Sequence, residues 1–145
     1  MKALSIKQPW AHAIVMRWKD VENRSRRTSH RGWFAVHASK TPNRKARYPR
    51  GWKTPDVDDL SKSAIVGVAW LEEVVTPHKS PWFYRPPRGE KNYAYVLKRA
   101  RRLKEPIEDV DGALGFWDVP PGLARKIRRQ LPGVDFKKKH PDARE

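Results

Sequence analysis

The 145-residue chain contains no cysteine. It therefore has no disulfide framework, no cysteine-ligated zinc site and no cysteine nucleophile. The N-terminus lacks a basic region followed by a long apolar run, so no secretory signal is predicted, and no apolar window approaches the length that spans a bilayer. We therefore expect a cytoplasmic protein without a membrane partner; a nucleoid or nuclear location is expected if the partner is DNA.

Histidines are few and show no ligand spacing, so the sequence predicts neither a metal site nor a cofactor. A ribonuclease that uses two histidines would need the fold to bring two of them together. The five positions are His12, His30, His37, His78 and His140.

Acidic residues are outnumbered two to one, 16 against 32 lysines and arginines, which gives a formal net charge of +16. Such an excess favours a polyanionic partner. The charge is uneven, because residues 17–50 hold eleven basic and two acidic side chains whereas residues 56–73 hold five of the acids. No amphipathic apolar segment or lipidation signal accompanies the basic residues, which favours nucleic acid over an anionic membrane.

The length and pattern predict one domain over residues 1–130 and a basic, flexible tail over residues 131–145. Alternating or apolar runs predict five or six short strands, and Pro9 and Pro121 suit the first turns of two short helices. We expect an α+β fold, a small β-barrel flanked by short helices. The predicted strands cover residues 2–6, 21–25, 33–38, 64–75, 93–102 and 113–119, the helices cover 9–18 and 121–129, and 40–62 is an irregular insertion with one helical turn near 56–61.

Polar and charged residues recur tightly around the first two strands. Residues 4–11 read LSIKQPWA, residues 19–24 read KDVENR, and a turn with Arg31 and Gly32 leads into HASK at 37–40. These motifs, together with GALGFWDVP at 112–120, resemble the ASCH domain of the PUA-like superfamily. The resemblance spans residues 2–120, and the first forty residues carry most of its specificity.

The resemblance implies a PUA-like β-barrel with a cleft between barrel and helix that binds nucleic acid. Relatives include a coactivator domain that binds DNA, a bacterial protein with ribonuclease activity and small amidohydrolases that act on an acylated cytidine. The motifs follow the coactivator domain more closely than the amidohydrolases, which favours DNA without excluding RNA. We expect a nucleic-acid-binding module, with a hydrolase as the alternative and a monomer as the default state.

Lys19, Glu22 and Arg24 are the central candidates. Glu22 and Arg24 share a face of an extended segment, because strand side chains alternate. The two cations could bind phosphate, and Glu22 could accept from a cytosine amino group. In the hydrolase alternative, Lys19 and Glu22 are catalytic. A further alternative is an ion pair that only orients the cleft.

The amidohydrolase branch has a threonine where this chain has Glu22, and a carboxylate does not supply a nucleophile in the way that a threonine hydroxyl does. Lys19 matches that branch's lysine. Its partner carboxylate is not fixed by spacing; Glu72 and Glu73 are the alternatives, unless they are ordinary strand-end acids.

Ser5, Gln8 and Trp10 lie where the first strand meets the first helix. Gln8 could read a base edge, and Trp10 could stack on a base or pack in the core. His37 could face the cleft or hold a structural hydrogen bond. The full predicted nucleic-acid-binding set is Ser5, Lys7, Gln8, Trp10, Lys19, Glu22, Arg24, Arg26, Arg31, Ser39, Lys40, Arg44, Lys45 and Arg47.

Basic runs also occur at residues 40–50, 98–104, 125–129 and 137–139. The first three could form a stripe that contacts a phosphate backbone, which positions a nucleic acid without reading its sequence; the run at 137–139 is either a flexible electrostatic arm or inert. The aromatic loop 81–87 offers a third reading, in which it is the contact of a protein-interaction adaptor.

Overall fold

The computed structural model describes residues 1–143, which form one six-stranded sheet with two helices. The strand order is β2-β5-β4-β3-β1-β6, with β1 parallel to β3 and all other pairs antiparallel. The sheet curls into a half-barrel, which confirms the predicted α+β fold. The strands are β1 (Lys2–Ile6), β2 (Val21–Arg24), β3 (Gly32–Ala38), β4 (Ala64–Val75), β5 (Tyr93–Ile107) and β6 (Phe116–Asp118), and the helices are α1 (Trp10–Val15) and α2 (Pro121–Gln130).

Alternating side chains give the sheet two apolar faces. Inside the curl, Leu4, Phe34 and Val36 pack with Leu71 and with Ile14 of α1. On the outer face, small side chains of β1 and β3 let α2 approach through Ala124 and Ile127. This helix is amphipathic because its other positions are mostly charged and exposed.

Helix α1 is shorter than predicted and ends at Val15. Arg17 adopts a left-handed backbone conformation (φ 65°), and the backbone N–H groups of Trp18 and Lys19 both donate to the Ala13 carbonyl, at 3.0 Å. The chain therefore turns back sharply under the helix. This turn places Lys19 inside the domain rather than on a helix surface.

Strand β5 is longer than predicted and continues through Pro106. Its pairing with β4 shifts register between Ile65, which faces Ile107, and Gly67, which faces Arg102. A bulge of this kind leaves residues without ladder partners, and proline is tolerated at such positions. The expected strand end at residues 103–106 is wrong for this reason.

Part of the predicted tail packs on the outer face. The Phe136 ring lies 5.7 Å from Trp33, and His140 is buried, with its ring 5.8 Å from Trp70. The domain boundary at residue 130 and the flexibility of the tail stay predictions, and residues 144–145 of that tail lie outside the described residues.

Candidate functional site

A cleft of about 1520 Å³ opens where the two edges of the curled sheet approach each other. Its walls come from the ends of β1 and β2, the start of the insertion that follows β3, the aromatic loop 81–84 and the segment 111–115. Arg24 of β2 spans the seam between these two edges of the sheet, because its Nη2 donates to the Ser5 backbone oxygen of β1 at 2.8 Å. The cleft thus forms at the open side of the half-barrel.

Lys19, Glu22 and Arg24 form a hydrogen-bonded ion cluster at this seam. Lys19 Nζ lies 3.2 Å from Glu22 Oε1 and also donates to the Val21 backbone oxygen. Arg24 reaches the other carboxylate oxygen with Nε at 3.0 Å and Nη2 at 2.9 Å. Both oxygens of Glu22 therefore accept hydrogen bonds within the protein.

Burial lowers the pKa of Lys19, and the Glu22 carboxylate beside it opposes that shift. The ammonium group has lost its hydration, and one carboxylate replaces only part of it. Because two cations surround one carboxylate, the cluster carries a formal charge of +1. Its free charge therefore favours an anionic group in the cleft.

The rest of the lining is also cationic. Among the described residues, five basic and two acidic side chains line the cleft, a formal charge of +3. An anion within these low-dielectric walls is attracted more strongly than at an open surface. The basic residues are Lys7, Lys19, Arg24, Lys40 and Arg47, and the acids are Glu22 and Asp111.

Aromatic rings form the opposite wall. Trp10 contacts Trp82 edge to face, with centroids 6.3 Å apart, and the Lys19 ammonium lies 5.9 Å from the centre of the Trp10 ring. Trp82 and Phe83 are buried, whereas Tyr84 is 55% exposed. Tyr84 therefore presents the most accessible aromatic ring of this wall.

An asparagine pair fixes the aromatic loop to the sheet. Asn23 Nδ2 donates to the Trp82 backbone oxygen at 3.0 Å, and Asn23 Oδ1 accepts from the Tyr84 N–H at 2.9 Å. Asn92 Nδ2 donates to both Asn23 Oδ1 and the Tyr84 backbone oxygen, at 2.9 and 2.7 Å. The position of Tyr84 is thus set by the half-buried Asn23 on β2 and the buried Asn92 before β5.

The structure brings nine of the predicted residues together in this cleft: Ser5, Lys7, Trp10, Lys19, Glu22, Arg24, Ser39, Lys40 and Arg47. Trp10 contributes both to the cleft and to a core cluster with Trp82. The two readings of Trp10, core and contact surface, are therefore compatible.

The other five predicted residues lie outside the cleft lining. Gln8 is buried, where its side chain donates to the Ser61 backbone oxygen and accepts from the His12 N–H. Arg31 donates to the backbone oxygens of Thr28 and His30. Arg44 pairs with Asp58 at 3.0 Å, and Arg26 and Lys45 are exposed.

Neither Glu72 nor Glu73 lines the cleft. Glu72 accepts from Trp70 Nε1 at 3.2 Å and lies 3.3 Å from His140 Nε2, on the outer face. Glu73 is exposed. Of the described carboxylates, only Glu22 and Asp111 belong to the cleft.

Sequence reasoning missed Asp111 and the aromatic loop as parts of the cleft. The sequence predicts the loop only as a protein-docking surface, because composition alone does not distinguish exposed aromatic residues from buried ones. Segment 111–115 carries no charged motif beyond Asp111, and long-range pairing alone brings it to Ser5. Within residues 1–143, no group of three potential metal ligands is present, and the described helices are too short or too polar to cross a bilayer.

Solved structures that resemble this fold include the ASCH protein of Zymomonas mobilis and two single-residue variants of it. The parent protein is 16% identical, with a TM-score of 0.58 over 88% of this chain and 93% of that one. The variants are also 16% identical over 88% of this chain, with TM-scores of 0.58 and 0.55 and coverage of 96% and 94% of their own chains. No protein-family model and no curated protein matches the sequence.

Proposed function

We propose that this chain, which has the fold of an ASCH domain, binds nucleic acid by placing an unpaired base and its phosphate in the cleft. The observation that carries the proposal is the pairing of a +3 lining with an aromatic wall that ends in the exposed Tyr84 ring. A cationic groove with aromatic platforms is how single-stranded nucleic acid is commonly bound.

The roles of the lining follow from its contacts. Lys7 and Lys40 are exposed cleft residues, and Arg47 is also exposed. Their charges are available to phosphate oxygens. Glu22 already accepts from Lys19 and Arg24, so its main effect is to hold both cations at the seam rather than to read a base alone.

A second basic surface supports longer nucleic acids. Four exposed cations of α2, Arg125, Lys126, Arg128 and Arg129, lie on the outer face of the sheet. We propose that they contact phosphates beyond the nucleotide in the cleft. Such contacts add affinity without sequence information.

The test is fluorescence anisotropy with labelled 12-nucleotide DNA and RNA, single- and double-stranded, at 50 and 200 mM salt. We expect preference for single strands and a steep loss of affinity with salt. A triple variant, Lys7→Gln/Lys40→Gln/Arg47→Gln, should bind more weakly, with a log–log salt slope reduced by about 2.

The matched control removes the same charge elsewhere, with Lys53→Gln/Arg88→Gln/Lys91→Gln at exposed positions outside the cleft lining. It should change affinity and salt slope much less. Equal losses in the two triple variants would show that net charge, and not the cleft, drives binding. Binding indifferent to salt would contradict the electrostatic mechanism.

A hydrolase is the second candidate function. The observation that favours it is the lowered pKa of Lys19, since a lysine general base needs such a shift. The test is cleavage of RNA, or release of acetate from an acylated cytidine, by wild type and Lys19→Met. Turnover that disappears in a folded Lys19→Met variant supports the hydrolase; binding without turnover supports the binding module.

A further inference from the structure

Ser5 and His37 form a hydrogen-bonded pair in the wall of the same cleft. Ser5 Oγ lies 2.9 Å from His37 Nδ1, and the two residues are register partners in the parallel β1–β3 pair. Both residues line the cleft, where Ser5 is half-buried and His37 is buried. The function proposed above assigns no chemistry to this pair.

Neighbouring groups fix the direction of the hydrogen bond. His37 Nε2 lies 2.6 Å from the Val110 backbone oxygen, which can only accept, so Nε2 carries the proton. In the neutral ring Nδ1 is then an acceptor, and the Ser5 hydroxyl donates to it. Trp117 Nε1 donates to Ser5 Oγ at 3.1 Å, which is consistent with the hydroxyl proton pointing at the imidazole.

A hydroxyl that donates to an imidazole, itself held by a third group, is the arrangement of an activated serine nucleophile. Here the third group is the Val110 carbonyl. Arg24 adds a positive charge next to Ser5, because its Nη2 binds the Ser5 backbone oxygen at 2.8 Å. Such a charge would stabilise an oxyanion that forms at the attacked carbonyl.

Gly112 packs directly against the pair. A Cβ at this position would collide with Ser5 Oγ and would lie 2.8 Å from His37 Cε1. Only a residue without a side chain allows segment 111–115 to approach so closely. The close packing shields one side of the pair, so that a reacting group would approach from the cleft.

We propose that Ser5 is a nucleophile for acyl transfer, with His37 as its general base. Ser5 Oγ attacks the carbonyl carbon of an ester or amide while its proton moves to His37 Nδ1. The bond to the leaving group breaks, and that group takes the proton from His37. Water then attacks the acyl-serine, passing its proton through His37 back to Ser5 Oγ, and the carboxylic acid leaves.

The cleft indicates the substrate class. An aromatic leaving group fits the wall of Trp10, Phe83 and Tyr84, and the cationic lining tolerates a negative charge on it. The substrate is therefore an acyl ester or amide of an aromatic alcohol or amine. This differs from the hydrolase with Lys19 and Glu22 in its nucleophile and base.

Covalent labelling of the full chain tests the proposal. A small fluorophosphonate should add to Ser5, with loss of fluoride, as read by intact and peptide mass spectrometry. Hydrolysis of p-nitrophenyl acetate should fall at least about 100-fold in Ser5→Ala and in His37→Gln, the usual scale for loss of a general base. Ser25→Ala is the matched control, because Ser25 also lines the cleft and is exposed.

The absence of cysteine provides a second measurement that needs no substrate. Ser5→Cys and Ser25→Cys each introduce a single thiol. The pH dependence of alkylation by iodoacetamide should show a lower pKa for the thiol at position 5, because His37 stabilises the thiolate. Replacing His37 by Gln in the Ser5→Cys variant should remove that difference.

The absence of a label on Ser5 would overturn the proposal, and so would equal reactivity of the two thiols; the pair would then be a structural bridge to Trp117. Oligonucleotide binding by the wild type is measured separately. Binding without labelling overturns only the acyl-transfer proposal, and labelling without binding overturns only the nucleic-acid proposal.

Discussion

Lys19 and Glu22 are three residues apart and form a buried ion pair, with Nζ 3.2 Å from Oε1 and side chains only 2% and 9% exposed. Such a pair owes its position to the turn after α1, in which Lys19 N–H binds the Ala13 carbonyl. The pair joins the turn after α1 to β2 at the point where the cleft begins. Its integrity should therefore affect both stability and binding.

Glu22→Gln should lower the free energy of unfolding by about 3–5 kcal/mol, the usual cost of removing one partner from a buried ion pair. The amide keeps the shape of the side chain but leaves the Lys19 and Arg24 charges uncompensated. Urea denaturation at pH 7 measures the loss. The control is Asp58→Asn, which breaks the exposed pair with Arg44 and should cost at most about 1 kcal/mol.

The difference in free energy of unfolding between wild type and Glu22→Gln should shrink as the pH rises from 7 towards 10.5. Burial already lowers the pKa of Lys19 in the folded state, and removal of the carboxylate lowers it further. Over that range the folded state loses the lysine proton before the unfolded state does, so the folded state gains relative stability. A deficit that is constant from pH 7 to 10 would contradict the assignment.

Tyr48 provides a test at higher pH. Its hydroxyl donates to the Pro9 backbone oxygen at 2.5 Å, and burial raises its pKa above the usual value near 10. Above pH 10 the unfolded state ionises first, so stability falls with pH, by at most about 1.4 kcal/mol per unit for this group.

In Tyr48→Phe, the decrease in the free energy of unfolding that ionisation of Tyr48 causes above pH 10 should be absent. The variant should be about 1 kcal/mol less stable than wild type at pH 8, for loss of a hydrogen bond, and the gap should narrow above pH 10. Equilibrium unfolding in urea at pH 8, 10 and 11 measures this. Tyr84→Phe, at an exposed tyrosine, should parallel the wild type throughout.

Gly67 is required in β4 by the packing of its neighbours. A Cβ there would collide with the Arg101 backbone oxygen and lie 3.2 Å from Val15 Cβ. Gly67→Ala should therefore cost about 1–3 kcal/mol, the usual range for overpacking, in chemical denaturation. Gly133→Ala, where a Cβ meets nothing within 4 Å, should change stability by less than about 0.5 kcal/mol; equal effects would contradict the packing argument.

The sequence predicts those elements whose local pattern of apolar and polar side chains is sufficient to determine their secondary structure. Residues 64–75 form the long apolar strand that was expected, and 2–6 form the first strand. The sequence predicts that β5 ends before Pro106, because proline interrupts a strand ladder. In the structure, a bulge opposite Ile65 and Gly67 accommodates the proline, and the strand continues. Tertiary pairing, which no local pattern encodes, decided that boundary.

The same distinction applies to the cleft. Lys19, Glu22 and Arg24 were expected to lie together because they are close in sequence and one strand carries two of them. The Ser5–His37 contact joins residues 32 positions apart, and the Asn23–Asn92 contact joins residues 69 apart. Both depend on strand pairing and on loops, so the sequence indicated the residue types but not their partners.

Substitution of Tyr84 separates the contribution of base stacking to binding affinity from the contribution of charge. The residue is 55% exposed, lines the cleft, and is held through its backbone by Asn23 and Asn92. Tyr84→Ala should weaken binding of a single-stranded 12-mer by about 1–3 kcal/mol, or roughly 5- to 150-fold, if one base stacks on the ring. Anisotropy titrations at a fixed salt concentration measure the loss.

Because the ring carries no charge, the salt slope of Tyr84→Ala should equal that of the wild type, unlike that of the triple cation variant. Its melting temperature should also be unchanged, since the side chain is largely outside the core. Tyr84→Phe keeps the ring and should retain wild-type affinity. An unchanged affinity in Tyr84→Ala would place the base elsewhere in the cleft, whereas a changed salt slope would mean that the loop, and not the ring alone, had moved.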